Sequence, residues 1–361
     1  MVTTADATPE SNNAAHGLEG FVLEGGWTVG PILRRTDQDT GGQFSVSYLV
    51  AGSDGRKGFL KVIDYASALS NTSNFAAALQ VLTSEYLAER DLVVMCNDRG
   101  LSRVVTAIGH GEFTVPAKAW GGAVSYIIFE LADGDVRSAL SREADLDTVI
   151  RVDYLRHLVV GVRQLHSVHV AHQDIKPSNL LVFKSTEPGT RSSKIADLGR
   201  AHRPGFPTFH DNLDQPGDPN HAPLEQLYGY TYPDDDLRRF AADVYQIGSV
   251  ATFMFTGRTM NAWLADELAP EHHWHEFGDS YVEAIPYLQD AMGRVLSTMR
   301  SRPESEVPAA MCDVIAYLCE PDALRRGHPS THRGVGHSYS LERVISNIDL
   351  IAKRAQIGRG R

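Results

Sequence analysis

His172, Gln173, Asp174, Ile175, Lys176, Pro177, Ser178 and Asn179, followed by the apolar Leu180, Leu181 and Val182, form the stretch on which the fold turns. Helical spacing of apolar residues from Asp147 to His166 predicts a helix ahead of it, and the apolar triplet predicts a short strand after it. The polar loop between them presents an acid, a cation and an amide close together. A carboxylate at Asp174 suits orienting an attacking hydroxyl and accepting its proton. Lys176 suits neutralising charge on a transferring phosphoryl group, and Asn179 carries a neutral oxygen suited to a hard divalent cation.

Further along, Lys194-Ile195-Ala196-Asp197-Leu198-Gly199 predicts a second short strand that delivers an acid onto a glycine-containing turn. Asp197 and Asn179 together suit magnesium shared with nucleotide phosphates. Upstream, Phe59-Leu60-Lys61-Val62 places one lysine in an otherwise apolar strand, where it is costly unless an anion meets it. The helix predicted over Asn74 to Val94 supplies that anion in Glu89. Glu85, one turn earlier on the same side, is the rival, and Glu89 is preferred for its distance to the next strand.

Around these residues the chain changes character once. Trp27 to Leu33, Phe44 to Val50 and Gly58 to Ile63 read as three antiparallel strands separated by turn-formers. The helix after them carries Phe75, Leu79, Leu82, Tyr86 and Leu87 at helical spacing. Val104 to Phe113 and Val124 to Leu131 read as two more strands, the second apolar enough to be covered on both faces. Beyond the polar turn Asp133 to Asp135, helical periodicity dominates at 147–166, 241–255, 281–299 and 308–319. Asp243 is expected to cap the second of these helices and to support the polar loop from below.

Taken together, these residues resemble the protein kinase catalytic domain of the serine/threonine type over about Trp27 to Ala355. The family's H-R-D-L-x-x-x-N loop is matched by His172, Asp174 and Asn179, with Gln173 in place of the arginine. Asp197-Leu198-Gly199 resembles D-F-G, and Lys61 matches the strand lysine. Ala222-Pro223-Leu224-Glu225 is similar to the A-P-E element, Asp243 to Gly248 to the buried D-V-W-S-L-G helix, and Pro321 to Arg326 to a late P-D-P-x-x-R element.

The resemblance implies an α+β, bilobal fold: a flexible leader over 1–26, a nucleotide-binding N-lobe over 27–132, a catalytic and substrate-binding C-lobe over 133–355 and a basic tail over 356–361. It implies ATP and Mg2+ as cofactors and a protein substrate as partner. Asp174, Lys176 and Asn179 would be catalytic, Asn179 and Asp197 would hold the metal, and Lys61, paired with Glu89, would hold phosphates. Gly42 would cover the nucleotide, and the backbone of Glu130 and Ala132 would meet adenine, with Phe129 as a wall. Arg326 would pair with Glu225. Lys176 standing two positions after Asp174 implies Ser or Thr acceptors.

Four departures mark this chain within that resemblance. In the nucleotide-covering loop, Thr40-Gly41-Gly42-Gln43-Phe44-Ser45, only Gly42 keeps its glycine, and Ser45 replaces another. Gln173 removes the cation that relatives use to bind a segment phosphate. Asp218, in Gly217-Asp218-Pro219, stands where a threonine is usual and offers Lys176 a second carboxylate. Thr208 is the one hydroxyl side chain between Gly199 and Ala222, so switching by phosphorylation of that segment is not expected. Two other classes stay open: a pseudokinase serving as a nucleotide-binding or scaffold module, and a small-molecule phosphotransferase such as an aminoglycoside kinase.

Composition narrows the setting. The 361 residues are 42% hydrophobic and 22% charged, near the globular average and long enough for two structural units. Thirty-four Lys plus Arg against 45 Asp plus Glu give a net charge of -11, which disfavours nucleic acid and anionic membrane surfaces as partners. Three widely spaced cysteines, no spanning apolar run and no signal-peptide pattern near Met1 give the expectation of a cytoplasmic protein.

Overall fold

Alternation of β-branched and aromatic residues in the first third of the chain lays down a sheet, and the rest winds into helices. The computed structural model describes residues 13–33, 44–70, 72–116, 122–142, 146–184, 191–278, 280–303, 306–333 and 339–359. Two units result: residues 1–100, 104–133 and 197–199 form the first, and 101–103, 134–196 and 200–361 the second. The fold class is α+β, with an antiparallel-sheet unit and a mostly helical unit.

The first unit holds β1 (Val22–Leu23), β2 (Trp27–Leu33), β3 (Ser45–Ala51), β4 (Lys57–Ile63), α1 (Tyr65–Ser70), α2 (Phe75–Asp98), β5 (Ala107–Thr114) and β6 (Ala123–Glu130). The sheet runs in the order β1-β2-β3-β4-β6-β5, antiparallel throughout. The two-residue period of a strand sorts its faces. Tyr48, Val50, Leu60, Val62, Tyr126 and Ile128 form a core on one face with Trp27. Lys61, between Leu60 and Val62, is registered with Ser47 and Ile127 and belongs to the other face.

Residues 13–26 correct the expected flexible leader, because they are part of that core. Ala14, Ala15 and Leu18 are buried in it, Tyr48 Oη donates to Ala15 O at 2.6 Å, and β1 pairs with β2. Residues 1–12 and Gly42 lie outside the described residues. In α2 the buried stripe begins later than its sequence predicts. Leu82, Tyr86, Glu89, Val93 and Cys96 point inward at helical spacing, while Phe75 and Leu79 in the first turns are exposed.

The second unit adds β7 (Gly134–Asp135), α3 (Val136–Arg142), α4 (Thr148–His166), β8 (Leu180–Lys184) and β9 (Arg191–Ile195). It continues with α5 (Leu224–Leu227), α6 (Asp235–Thr256), α7 (Met260–Glu267), α8 (Tyr281–Arg300), α9 (Ala309–Leu318) and α10 (Glu342–Arg359). The strands form a small antiparallel sheet, β7-β8-β9. Helix α6, buried along most of its length, packs against α4, α7 and α9, and α4 also packs against β9 and α10.

Helix α6 begins earlier than the apolar pattern predicts. Asp234 is its N-cap, accepting from Leu237 N–H at 2.9 Å, and Asp235 and Asp236 add negative charge in the first turn. Asp243 therefore lies inside the helix and does not cap it. The expected basic tail over 356–361 is likewise helical as far as Arg359, as the end of α10. Among the described residues no helix is long and apolar enough to cross a membrane.

Candidate active site

In the first unit, β4 carries Lys61 and α2 carries Glu89, and the two side chains meet. Lys61 Nζ lies 2.8 Å from both carboxylate oxygens of Glu89 and 3.5 Å from Asp197 Oδ1. Glu89, not Glu85, is thus the carboxylate in contact with the strand lysine. Burial alone would lower the Lys61 pKa. The facing carboxylates, Glu89 and then Asp197, outweigh that effect and hold it above its ordinary value, so the side chain stays an ammonium. Asp197 itself sits in the left-handed region at φ 61°, a conformation that Asp tolerates better than most residues.

At the end of β6, Glu130 is anchored at both its ends. Its N–H donates to Thr106 O at 3.0 Å, and its Oε1 accepts from Thr106 N–H at 2.7 Å. Leu131 and Ala132 follow outside the strand and are partly exposed. Phe129 is buried beside them.

In the second unit the loop between α4 and β8 is held from beneath by α6. Buried Asp243 accepts from the N–H of His172 at 2.7 Å and of Gln173 at 2.8 Å, and from His166 Nε2 at 2.9 Å. One turn on, Gln246 accepts from Ile175 N–H at 2.9 Å and donates to Gln173 O at 3.0 Å. Gln173 is thereby fixed with φ at 67°. Asp243 supports the loop as the sequence predicts, but from within a helix. The sequence does not predict the role of Gln246, nor that of Arg239 in the same helix, whose carbonyl accepts from Gln173 Nε2 at 3.0 Å. The replacement of the loop arginine by Gln173 was the signal that a cation from elsewhere should be sought.

On this base Asp174 is surrounded by donors. Its Oδ1 accepts from Asp218 N–H at 2.8 Å, and its Oδ2 lies 2.9 Å from Lys176 Nζ and 3.2 Å from Asn179 Nδ2. Lys176 is 3.9 Å from Asp218 Oδ2, so Asp174 is its nearer carboxylate and Asp218 contributes through its backbone. All three loop residues, Asp174, Lys176 and Asn179, are buried. Gly217 permits the approach, because a Cβ there would fall 2.3 Å from Gln173 O.

The donor chemistry suits a divalent cation and phosphates. Asn179 Nδ2 donates to Asp174 O at 2.9 Å, and its Oδ1 is the amide atom whose chemistry suits a cation. Asp197 adds a hard carboxylate in its own unit, next to the Lys61 ammonium. Farther on, Glu225 at the start of α5 is bound to Arg326 by two hydrogen bonds of 2.8 and 2.7 Å.

Comparison with known proteins points one way. The model described as "Protein kinase domain" matches residues 122–340. Serine/threonine-protein kinase GIN4 of Saccharomyces cerevisiae is 26% identical over 239 residues, covering 64% of this chain and 19% of that protein. The probable serine/threonine-protein kinase KCC4 of the same yeast is 26% identical over 234 residues, covering 64% of this chain and 20% of that protein. Death-associated protein kinase dapk-1 of Caenorhabditis elegans is 26% identical over 197 residues, covering 54% of this chain and 12% of that protein. The match spans about a fifth of the length of the two yeast relatives.

Proposed function

The chain belongs to the protein kinase domain family, and from that premise we propose an ATP- and Mg2+-dependent kinase that phosphorylates Ser or Thr hydroxyls of protein substrates. Bound ATP with Mg2+ would supply the γ-phosphoryl group and neutralise part of its charge. Asp174 orients the acceptor hydroxyl and takes its proton at a carboxylate oxygen. Lys176 lowers the electrostatic cost of charge gathering on the transferred group. Lys61, kept charged by Glu89, binds phosphate oxygens, and Asp197 and Asn179 provide oxygen ligands for the metal. Backbone groups at Glu130 and Ala132 receive adenine.

The observation that supports this reading most is the setting of Asp174. A carboxylate held by an ammonium, an amide and a backbone N–H is fixed in direction, as an acceptor of a hydroxyl proton must be. The Ser/Thr preference is supported by the Lys176 contact with Asp174. Three buried cysteines that form no disulfide, Cys96, Cys312 and Cys319, support a reducing, cytoplasmic setting, and the net charge of -11 supports partners other than nucleic acid or anionic membrane.

Ser45, at a glycine position of the nucleotide-covering loop, favours the second reading, a pseudokinase that binds nucleotide without transfer. Incubation with ATP, Mg2+ and a generic acceptor protein, read by mass spectrometry, separates the two. Phosphoserine or phosphothreonine is expected, and Asp174→Asn should abolish its formation while sparing nucleotide binding. Nucleotide binding without transfer in the unmodified protein would establish the pseudokinase. Transfer to an aminoglycoside alone would establish a small-molecule enzyme, and dominant phosphotyrosine would overturn the acceptor class.

A further inference from the structure

The side chain of Gln173, immediately before Asp174, is engaged by Arg239 of α6. Gln173 Nε2 donates to Arg239 O at 3.0 Å, and Gln173 Oε1 accepts from Arg239 Nη1 at 3.3 Å. The other end of that guanidinium holds Asp211. Arg239 Nη2 donates to Asp211 O at 3.0 Å and lies 3.3 Å from its Oδ1. Arg239 is buried, and its charge is met by Asp211 at 3.3 Å and by Asp235 of the same helix at 3.7 Å. The adjacent Arg238 donates through Nη2 to Asp211 O at 2.9 Å and Leu213 O at 3.2 Å.

Asp211 is fixed from its other side as well. Its Oδ1 lies 2.6 Å from His202 Nδ1, and its Oδ2 accepts from Thr208 N–H at 2.7 Å. His202 is in turn bonded through its backbone to Ala171, at the entry to the catalytic loop. A short run of chain then leads from Asp211 to Asp218, whose N–H donates to Asp174 Oδ1. The segment is therefore tied to the catalytic loop at both ends, by Asp211 through Arg239 to Gln173, and by Asp218 to Asp174.

We propose that Asp211 and Arg239 are positioning residues for phosphoryl transfer: their contact, relayed through Gln173, sets the segment so that Asp218 N–H aims the Asp174 carboxylate. The segment is set by a carboxylate of the chain itself and needs no added phosphate. This rests on the reading of Asp174 as the residue that orients the acceptor. The contact holds geometry because one buried guanidinium bridges Gln173 and Asp211, while the exposed Asp235 is its more distant carboxylate and His202 is the second partner of Asp211. Loss of aim at the reacting centre lowers turnover more than it lowers nucleotide affinity.

The test compares Asp211→Asn, Asp211→Glu and Arg239→Gln in the full chain, with Asp174→Asn alongside. Asp211→Asn and Arg239→Gln should each lower kcat roughly tenfold with KM for ATP little changed, and Asp211→Glu should recover most of the loss. The two losses should not add in the double variant, because both act through one contact. Hydrogen exchange gives a readout that needs no activity: the Asp218 amide should exchange faster in Asp211→Asn while amides of α6 keep their protection. Unchanged exchange at Asp218 together with unchanged kcat would overturn the proposal. If instead Asp174→Asn transfers phosphate as the unmodified protein does, the functional reading fails, and the exchange at Asp218 alone decides the relay.

Discussion

Arg326 and Glu225, 101 residues apart in the chain, are joined by paired hydrogen bonds in a place where Arg326 is 0% exposed. The remaining guanidinium N–H groups donate to Ala241 O, Pro321 O and Glu320 O, so all five are satisfied. The guanidinium carbon also lies 5.1 Å from the Tyr245 ring centroid. Arg326→Leu leaves the Glu225 carboxylate buried and alone, and an expected loss of about 3–5 kcal/mol follows in denaturant unfolding of the second unit. A double variant with Glu225→Gln should recover part of that loss; an additive result would show that the pair is not coupled.

Lys61 is expected to discriminate between phosphates and the base. In Lys61→Met the affinity for ATP should fall at least about tenfold, a change of about 1.4 kcal/mol, while adenosine binding stays within about twofold. The reason is geometric: Lys61 faces Glu89 and Asp197, whereas the backbone at Ala132 belongs to a different stretch of the unit. Calorimetric titration of both ligands checks this, and equal losses for the two would place Lys61 in a purely structural ion pair.

Gly217→Ala should cripple turnover without unfolding the protein. The added methyl meets the Gln173 carbonyl at 2.3 Å and the Asp174 Cα at 3.2 Å, and backbone atoms give way only if the whole segment shifts. The Asp218 N–H then no longer reaches Asp174 in the same geometry. A fall in kcat of roughly tenfold or more is expected, since small misplacements at a reacting centre are costly, with a lowered melting temperature but a folded protein at assay temperature. Full activity in the folded variant would show that the contact between Asp218 and Asp174 is dispensable.

How much of this was legible in the sequence depends on whether a feature is local. Strands β3, β4 and β6 announce themselves by β-branched and aromatic runs, and the pairing of Lys61 follows from one charge in an apolar strand. Residues 13–26 read as a leader because their few apolar residues, broken by glycines and Glu19, show no sustained periodicity, yet Leu18 and two alanines are buried in the core with Tyr48. Helix α6 read short because it opens on the charged Asp235, Asp236, Arg238 and Arg239, and Asp234 caps it where the apolar pattern is silent. The contact of Arg239 with Asp211 and Gln173 was out of reach, since it joins three segments whose approach depends on the packing of α6 under the loop.

Acid should destabilise the second unit above the range where most carboxylates titrate. His157 on α4 is buried, with Nδ1 accepting from Ser193 N–H at 3.3 Å and 3.2 Å from Ser193 Oγ. Burial first, then the charges of Arg103 and Arg156, pushes its pKa down to about 3. His221, beside Ser249 at 3.0 Å, is pushed down to about 4, again chiefly by burial. Both rings are thus neutral in the folded protein, while in the unfolded chain they take up protons below about pH 6.5. The unfolded state then binds more protons, so stability falls as pH falls, by up to about 1.4 kcal/mol per pH unit for each ring between pH 6.5 and its folded value. His157→Gln retains an acceptor for Ser193 N–H and removes the titrating group, so the slope of unfolding free energy between pH 6.5 and 5 should be shallower by roughly one ring's share. Urea unfolding at several pH values in that window checks this, and identical slopes for the two proteins would mean that His157 is already protonated in the folded state.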